Sequence, residues 1–258
     1  MSDFRVTLHK KEMEGWQKII KLNSVDSTND HFANLIKEST FAEGSILSSL
    51  HQEAGKGHGS NTWESEKGKN VLLSMVLYPN FLPIDKNFLI SKIVSLGIAN
   101  YLLAKTNFVK IKWPNDIYYQ NNKLAGILIE NTIKGSNINQ SIVGIGLNLN
   151  QIAFVSEAPN PLSLQQITGR TYSIDQEIIK LRNNIRFFYD KLRAGKYDEI
   201  NKDYLKCLYR FNELHTFSSS NKNFKAKITG ISEYGHLQVT TESQEPKEFD
   251  FKEIEFII

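Results

Sequence analysis

Residues 108–149 pack four apolar, β-leaning runs into one short stretch: 108–112, 117–120, 124–130 and 142–149. Parallel neighbours need a crossover of roughly a dozen residues or more, and the first three runs are joined by far shorter gaps. That excludes a regular βαβ series and predicts antiparallel strands here, with Asn121-Asn122 as a tight turn because asparagine tolerates positive φ. Runs at 46–50 and 71–78 extend the sheet, with a glycine-rich stretch between them. Helical spacing appears on either side. Phe32, Leu35 and Ile36 share a face after ValAspSerThrAsn, where Asp26 or Ser27 can cap. The apolar pattern of 87–105 fits a well-buried helix. A long helix from Ser173, with Ser173 and Gln176 as a capping box, carries the stripe Ile178, Leu181, Ile185, Phe188 and Leu192. Ala194-Gly195 breaks it, and a shorter helix carries Tyr197, Ile200, Tyr204 and Leu208. The fold class is α+β, a mixed sheet with flanking helices.

After Phe217 the composition changes to SerSerSerAsnLysAsn and then to short alternating runs. Phe224, Ala226 and Ile228 fall on one face, with Lys225, Lys227 and Thr229 on the other. The last ~40 residues read as a small all-β barrel, too small to be comfortably stable alone, so it should dock on the larger unit. The expected division is 1–213 and 214–258. A chain of 258 residues with 40% hydrophobic and 23% charged residues suits a globular protein. A net charge of +3 is too small to force a nucleic-acid or membrane reading. Cys207, the single cysteine, excludes an internal disulfide framework and argues against a cysteine zinc site. The first residues lack the apolar core of a signal peptide, and no apolar run reaches membrane-spanning length, so a cytoplasmic location is expected.

Three stretches could carry chemistry. In GlnGluAlaGlyLysGlyHisGlySerAsnThrTrp (52–63) alternate glycines let backbone amides approach a ligand, and Lys56 and His58 add cations suited to phosphate. The competing reading is a plain polar loop. It is neither a Walker loop nor a Rossmann fingerprint. LysTrpProAsnAsp (112–116) places Asn115 and Asp116 at a strand mouth, where an amide and a carboxylate can orient a metal-bound phosphate. Lys123 opens LysLeuAlaGlyIleLeuIleGlu, either as a solvated charge or as a clamp pointing into a cleft. In GlyIleGlyLeuAsn (144–148), two glycines inside a strand signal either helix packing or ligand approach, and Asn148 needs a polar partner. HExxH, GxSxG and paired Cys/His sets are absent from the sequence.

Taken in order and spacing, these stretches, with ValAspSerThrAsn at 25–29 and AsnValLeuLeuSerMet at 70–75, resemble the biotin–protein ligases from about residue 20 to the end. The resemblance implies a class II aminoacyl-tRNA-synthetase-like catalytic domain with an SH3-like C-terminal β-barrel. It implies biotin and ATP as substrates with Mg²⁺. Carried over residue by residue, it assigns biotin to Ser27, Thr28, Asn29, Gln52, Gly55, Lys56, Gly57, His58, Lys123, Gly126, Gly144 and Gly146. ATP or adenylate falls to Lys56, His58, Trp63, Lys123 and Asn148, with Asn148 also near Mg²⁺. Lys123, Asp116 and Asn115 are the implied catalytic group.

The implied reaction joins biotin to AMP and then to a lysine of a biotin carboxyl carrier protein or domain. The alternatives are a lipoate–protein ligase and a non-catalytic biotin-binding or regulatory protein. This chain departs from the family in having Lys56 and His58 where arginines are common, and Ser60 for a glycine. Lysine lacks arginine's bidentate fork, and histidine is charged only part of the time near neutrality. Fewer than about 25 residues precede the first motif, too few for the helix-turn-helix of some relatives, so a monofunctional form without nucleic-acid or membrane partners is expected. The sequence leaves both a homodimer and a monomer open.

Overall fold

The computed structural model describes residues 16–57, 59, 61–155 and 160–257. Its larger part is built on strands β1 (Ile19–Leu22), β2 (Ile46–Ser49), β3 (Val71–Leu77), β4 (Val109–Lys112), β5 (Asp116–Tyr119), β6 (Asn122–Lys134) and β7 (Asn137–Leu147). They form one sheet in the order β1-β2-β3-β7-β6-β5-β4. Only β1 and β2 run parallel; every other neighbouring pair is antiparallel. β3 lies inside the sheet and is buried at every position, as a run apolar everywhere but Ser74 requires when both faces are covered.

The covering differs between the faces. Helix α2 (Phe88–Leu103), α4 (Ile174–Arg193) and α5 (Tyr197–Cys207) share one core with Ile46, Leu73, Met75, Leu77 and Val143. α2 has almost no polar stripe, and 14 of its 16 residues are buried, so it lies between the sheet and the outer helices. Helix α1 (Thr28–Glu38) packs on the opposite face, where Phe32 meets Phe41, Leu47 and Val76. The two faces take alternate strand residues, Met75 and Leu77 on one side and Val76 on the other. Beneath α2 and α4, the carboxylate of Glu177 is 3% exposed and accepts from the Tyr101 hydroxyl at 2.6 Å. It also pairs with Lys105 and Lys180, each at 2.8 Å.

The C-terminal strands are β8 (Leu214–Ser219), β9 (Lys222–Ile231), β10 (Leu237–Thr241), β11 (Pro246–Phe249) and β12 (Glu255–Phe256). They form an antiparallel sheet in the order β11-β10-β9-β8-β12 around Phe217, Ala226, Ile228, Leu237 and Val239. It docks as expected: the Trp113 indole N–H donates to Gly235 O at 2.8 Å, and Trp113 and Phe88 pack on Phe251.

Some local expectations change. The β5–β6 turn is present, but Gln120 carries the positive φ of 52°, one residue before the asparagine pair. Ser173 starts α4 without a side-chain cap bond, so the expected Ser173/Gln176 box does not form. The capping box sits instead at Ser163 and Gln166, before a short helix, α3 (Leu164–Thr168). Ser27 caps α1 through Asp30 N, as expected. Among the described residues, no helix is long and apolar enough to cross a membrane.

Candidate functional site

A cleft of about 130 Å³ opens where the start of α1, the 52–63 stretch, the β4–β5 turn, the first half of β6 and the end of β7 converge. Ser27, Thr28, Asn29, Gln52, Lys56, Gly57, Trp63, Asn115, Asp116, Lys123, Gly126, Gly144 and Gly146 all line it. Gly55 and Asn148 lie just behind the lining, and His58 lies outside the described residues.

The floor explains the strand glycines. Gly126 and Gly146 face each other across β6 and β7, and the Trp63 indole lies on both. A Cβ on Gly146 would come within 2.3 Å of that ring, and one on Gly126 within 2.9 Å. Gly144 serves a different neighbour, since its Cβ would meet Asn29 Oδ1 at 2.5 Å. Helix packing thus accounts for Gly144, and an aromatic seat for Gly126 and Gly146. Gly146→Ala should lift the indole from the sheet, at a cost of about 1–3 kcal/mol for an overpacked contact. The expected readout is a lower melting temperature with altered tryptophan emission. An unchanged spectrum would mean that the ring does not rest there.

At one end of the cleft, Asn29 is fully engaged. Its Oδ1 accepts from the Ser74 hydroxyl at 2.6 Å, and its Nδ2 donates to Glu130 Oε2 at 2.7 Å. Gln52 Oε1 accepts both the Thr28 N–H and the Thr28 hydroxyl, each at 2.8 Å. That fixes the amide's orientation and leaves Gln52 Nε2 as a free donor among the described residues. Residues 55–57 and 61–63 run side by side as a narrow ribbon, with Trp63 N–H donating to Gly55 O and Gly57 N–H to Asn61 O, both at 2.8 Å. Lys56 ties the ribbon to α1 through Asp30 at 2.6 Å. The hydrogen bond to Asp30 raises the lysine's pKa and, with the pull of Asp30 and Glu130, outweighs the small cost of desolvation.

At the other end, Lys123 Nζ lies 2.7 Å from Asp116 Oδ1 and 5.6 Å from the centre of the Trp63 ring. Its backbone is pinned on both sides, N–H to Asn160 O and O to the Leu162 N–H. It therefore points into the cleft, which decides between the two readings open to it. Asn115 donates to Ile127 O at 2.6 Å and locks the turn that presents Asp116. Lys112 sits behind this pair, where burial lowers its pKa and the neighbouring Lys123 and Arg210 add to that, against the pull of Asp116. Asn148 Nδ2 reaches Lys123 O at 3.4 Å, while its Oδ1 is buried without a hydrogen-bond partner among the described residues.

Asn61, Thr62, Ile127, Leu128 and Ile145 also line the cleft, and Ser74, Asp30 and Glu130 support it. Sequence reasoning missed them. For Leu128 and Glu130 a signal existed, because they follow Gly126 at the two-residue period of one strand face.

This geometry can hold an elongated ligand, with a hydrogen-bond donor at one end and a lysine–carboxylate pair at the other. Residues 22–148, which contain nearly the whole lining, match the Biotin/lipoate A/B protein ligase family. Over that span the chain is similar to that family. The biotin protein ligase from Aquifex aeolicus, in complex with biotin and ATP, superposes on this chain with a TM-score of 0.76. The two are 25% identical, and the match covers 93% of this chain and 99% of that one. The bifunctional ligase/repressor BirA of Escherichia coli is 35% identical over 126 residues, or 48% of this chain and 38% of its own length. The human biotin–protein ligase is 23% identical over 94% of this chain and 35% of its own. The chain thus spans less than half the length of these two curated relatives. This chain shares its fold with an enzyme crystallised with both biotin and ATP.

Proposed function

We propose that this protein is an ATP-dependent biotin–protein ligase that makes biotinyl-5′-AMP and passes biotin to a lysine of a biotin carboxyl carrier protein or domain. The observation that carries the reading is the fixed amide of Gln52. With Oε1 saturated by Thr28, only the Nε2 donor is left for a ligand, and the ureido carbonyl of biotin is a matching acceptor. A lipoyl dithiolane has no such oxygen and would leave that donor without a strong partner.

The biotin carboxylate then lies toward Lys123. One carboxylate oxygen attacks the α-phosphorus of ATP, and the bond to pyrophosphate breaks. Two anions must approach, so the Lys123 ammonium acts by position and charge. Trp63, on its glycine floor, offers a flat face to the adenine. In the second step the carrier lysine's amine attacks the acyl carbon of the mixed anhydride, and AMP leaves with the bonding electrons. Asp116, held by Lys123 at 2.7 Å, orients that amine in this reading and takes the proton it sheds.

Among the described residues no group of three His, Cys, Asp or Glu side chains could hold a metal. The donor set fits a Mg²⁺ that arrives on the ATP phosphates, as magnesium commonly does. The buried, unpartnered Asn148 Oδ1 is the hard oxygen suited to it. When bound, the ion would neutralise phosphate charge. The proposed division keeps 1–213 as the catalytic unit and 214–258 as the barrel, which the start of β8 at Leu214 supports.

The test is exchange of labelled pyrophosphate into ATP. Biotin should stimulate exchange, and a carrier domain should then be labelled. Exchange driven by lipoate alone would turn the reading to a lipoate ligase. Biotin binding with no exchange would make the protein a non-catalytic binder.

A further inference from the structure

The 52–63 stretch is fastened to the start of α1 step by step. Glu53 N–H donates to Val25 O at 2.9 Å and Ala54 N–H to Asp26 O at 3.0 Å. The Gln52 amide is held by Thr28 at 2.8 Å. Past Ala54 these ties end. Among the described residues, the next bond from the stretch to the helix is the ion pair of Lys56 Nζ with Asp30 Oδ2 at 2.6 Å.

Asp30 can hold the ribbon because its own helix is fixed. The Ser27 cap accepts from Asp30 N–H, and Asn29 joins the helix to Ser74 and Glu130. Glu130, a second carboxylate that attracts Lys56, is already engaged by the Asn29 amide at 2.7 Å. Lys56 and Gly57 line the cleft, whereas Asp30 is not among the lining residues. A bridge from Lys56 to Thr62 joins the two arms of the ribbon, so a hold on Lys56 reaches both. The side chains of the ion pair are 51% and 45% exposed. Water and salt compete for such a pair, and it opens at little cost. A buried pair would lock the ribbon down; this one lets a ligand enter and still favours the closed position.

We propose that Asp30 is a positioning residue that holds the ribbon over bound biotin, acting through Lys56 and touching no ligand itself. This rests on the reading of the cleft as a biotin site. An ammonium carries three N–H donors, so Lys56 can be tethered by Asp30 and still donate into the cleft. The tether acts on a ligand already in place. It therefore sets how long biotin stays more than how fast it arrives.

The experiment measures release of labelled biotin into an excess of unlabelled biotin. It compares wild-type protein with Asp30→Asn, Asp30→Glu, Lys56→Gln and the double variant Asp30→Asn/Lys56→Gln. Asp30→Asn should release biotin up to about fivefold faster, the ceiling for an exposed ion pair, with little change in the association rate. Asp30→Glu should keep the slow release, and the difference should shrink as salt is raised. In the Lys56→Gln background, Asp30→Asn should change nothing further, because a residue that acts through another has no effect once that partner is gone. Melting temperatures should stay close across the set, since the Ser27 cap bonds the backbone of residue 30 and survives each change. Additive effects of the two single variants would overturn the proposal by showing that Asp30 does not act through Lys56. Wild-type protein that fails to bind biotin would overturn the biotin-site reading itself. Biotin binding with equal release from wild type and Asp30→Asn would remove this inference alone.

Discussion

Lys123→Ala is expected to slow biotinyl-adenylate formation by about 10²–10³-fold, the usual loss when one charge-stabilising donor is removed from a reacting centre. The lysine contributes little to the core, with its side chain 27% exposed, so the melting temperature should stay near wild type. Its strand position is held by the backbone bonds to Asn160 and Leu162, which the substitution leaves in place. The defect should fall on the first step, measured as pyrophosphate exchange at saturating biotin and ATP. Carrier labelling from added biotinyl-adenylate should be affected less, unless Asp116 drifts once its partner is gone. Lys123→Arg keeps the charge on a longer, planar head, so partial activity is expected. An alanine variant that exchanges pyrophosphate at the wild-type rate would remove Lys123 from the chemistry and leave it as a cap for Asp116.

The largest expected loss of stability lies far from the cleft, at Glu177. Replacing it with alanine should cost about 3–5 kcal/mol, because the change breaks a buried ion pair and leaves a partner charge uncompensated. Here the partners are Lys105, only 15% exposed, and the Tyr101 hydroxyl. Desolvation by burial pushes the Glu177 pKa up, but hydrogen bonds from Lys105, Lys180 and Tyr101 outweigh it, and the value falls below the ordinary 4.5. A carboxyl depressed in the folded state contributes fully above its unfolded value and loses that contribution as pH falls through the folded one. Wild-type protein should therefore lose melting temperature as pH drops below about 4.5, with part of that slope belonging to Glu177. Glu177→Gln should be less stable at neutral pH and show a shallower acid slope. Parallel slopes for the two proteins would show that the carboxylate is not what titrates.

Most of the architecture was legible because it follows from apolar periodicity. The run of α2 could only be buried, and strand runs with short gaps could only be antiparallel. β1 escaped because IleIleLysLeu is four residues long and gains its meaning from the parallel pairing with β2. The Ser163/Gln166 box carried the same signal as Ser173/Gln176, and only tertiary packing separated them. In the cleft, the residue types were readable but their partners were not. Lys123 meets Asp116 because the β5–β6 register shifts between Ile117 and Tyr118, and a one-residue slip in pairing sends a side chain to the other face. The separate duties of Gly144 and Gly146 likewise depend on which side chain reaches each one, Asn29 or Trp63. The loop cation at Lys56 was legible as a charge, but its commitment to Asp30 appears only in three dimensions.

The hydrogen bonds of Asn29 have a consequence for the timescale on which the cleft opens. They join α1 to β3 and β6, two interior strands of the sheet. The α1 amides bonded within the helix, from His31 onward, should therefore exchange with solvent deuterium only when a large part of the sheet unfolds. Among the described residues, 55–57 and 61–63 are tied by two backbone bonds and one exposed ion pair, so their amides should exchange through cheap local openings. A ligand arriving at the Asn29 end meets a surface that is already rigid and pays little ordering entropy there. The entropic cost of binding is concentrated at the ribbon. Changes in the ribbon should consequently alter how long a ligand stays, while changes behind Asn29 alter whether the protein folds at all.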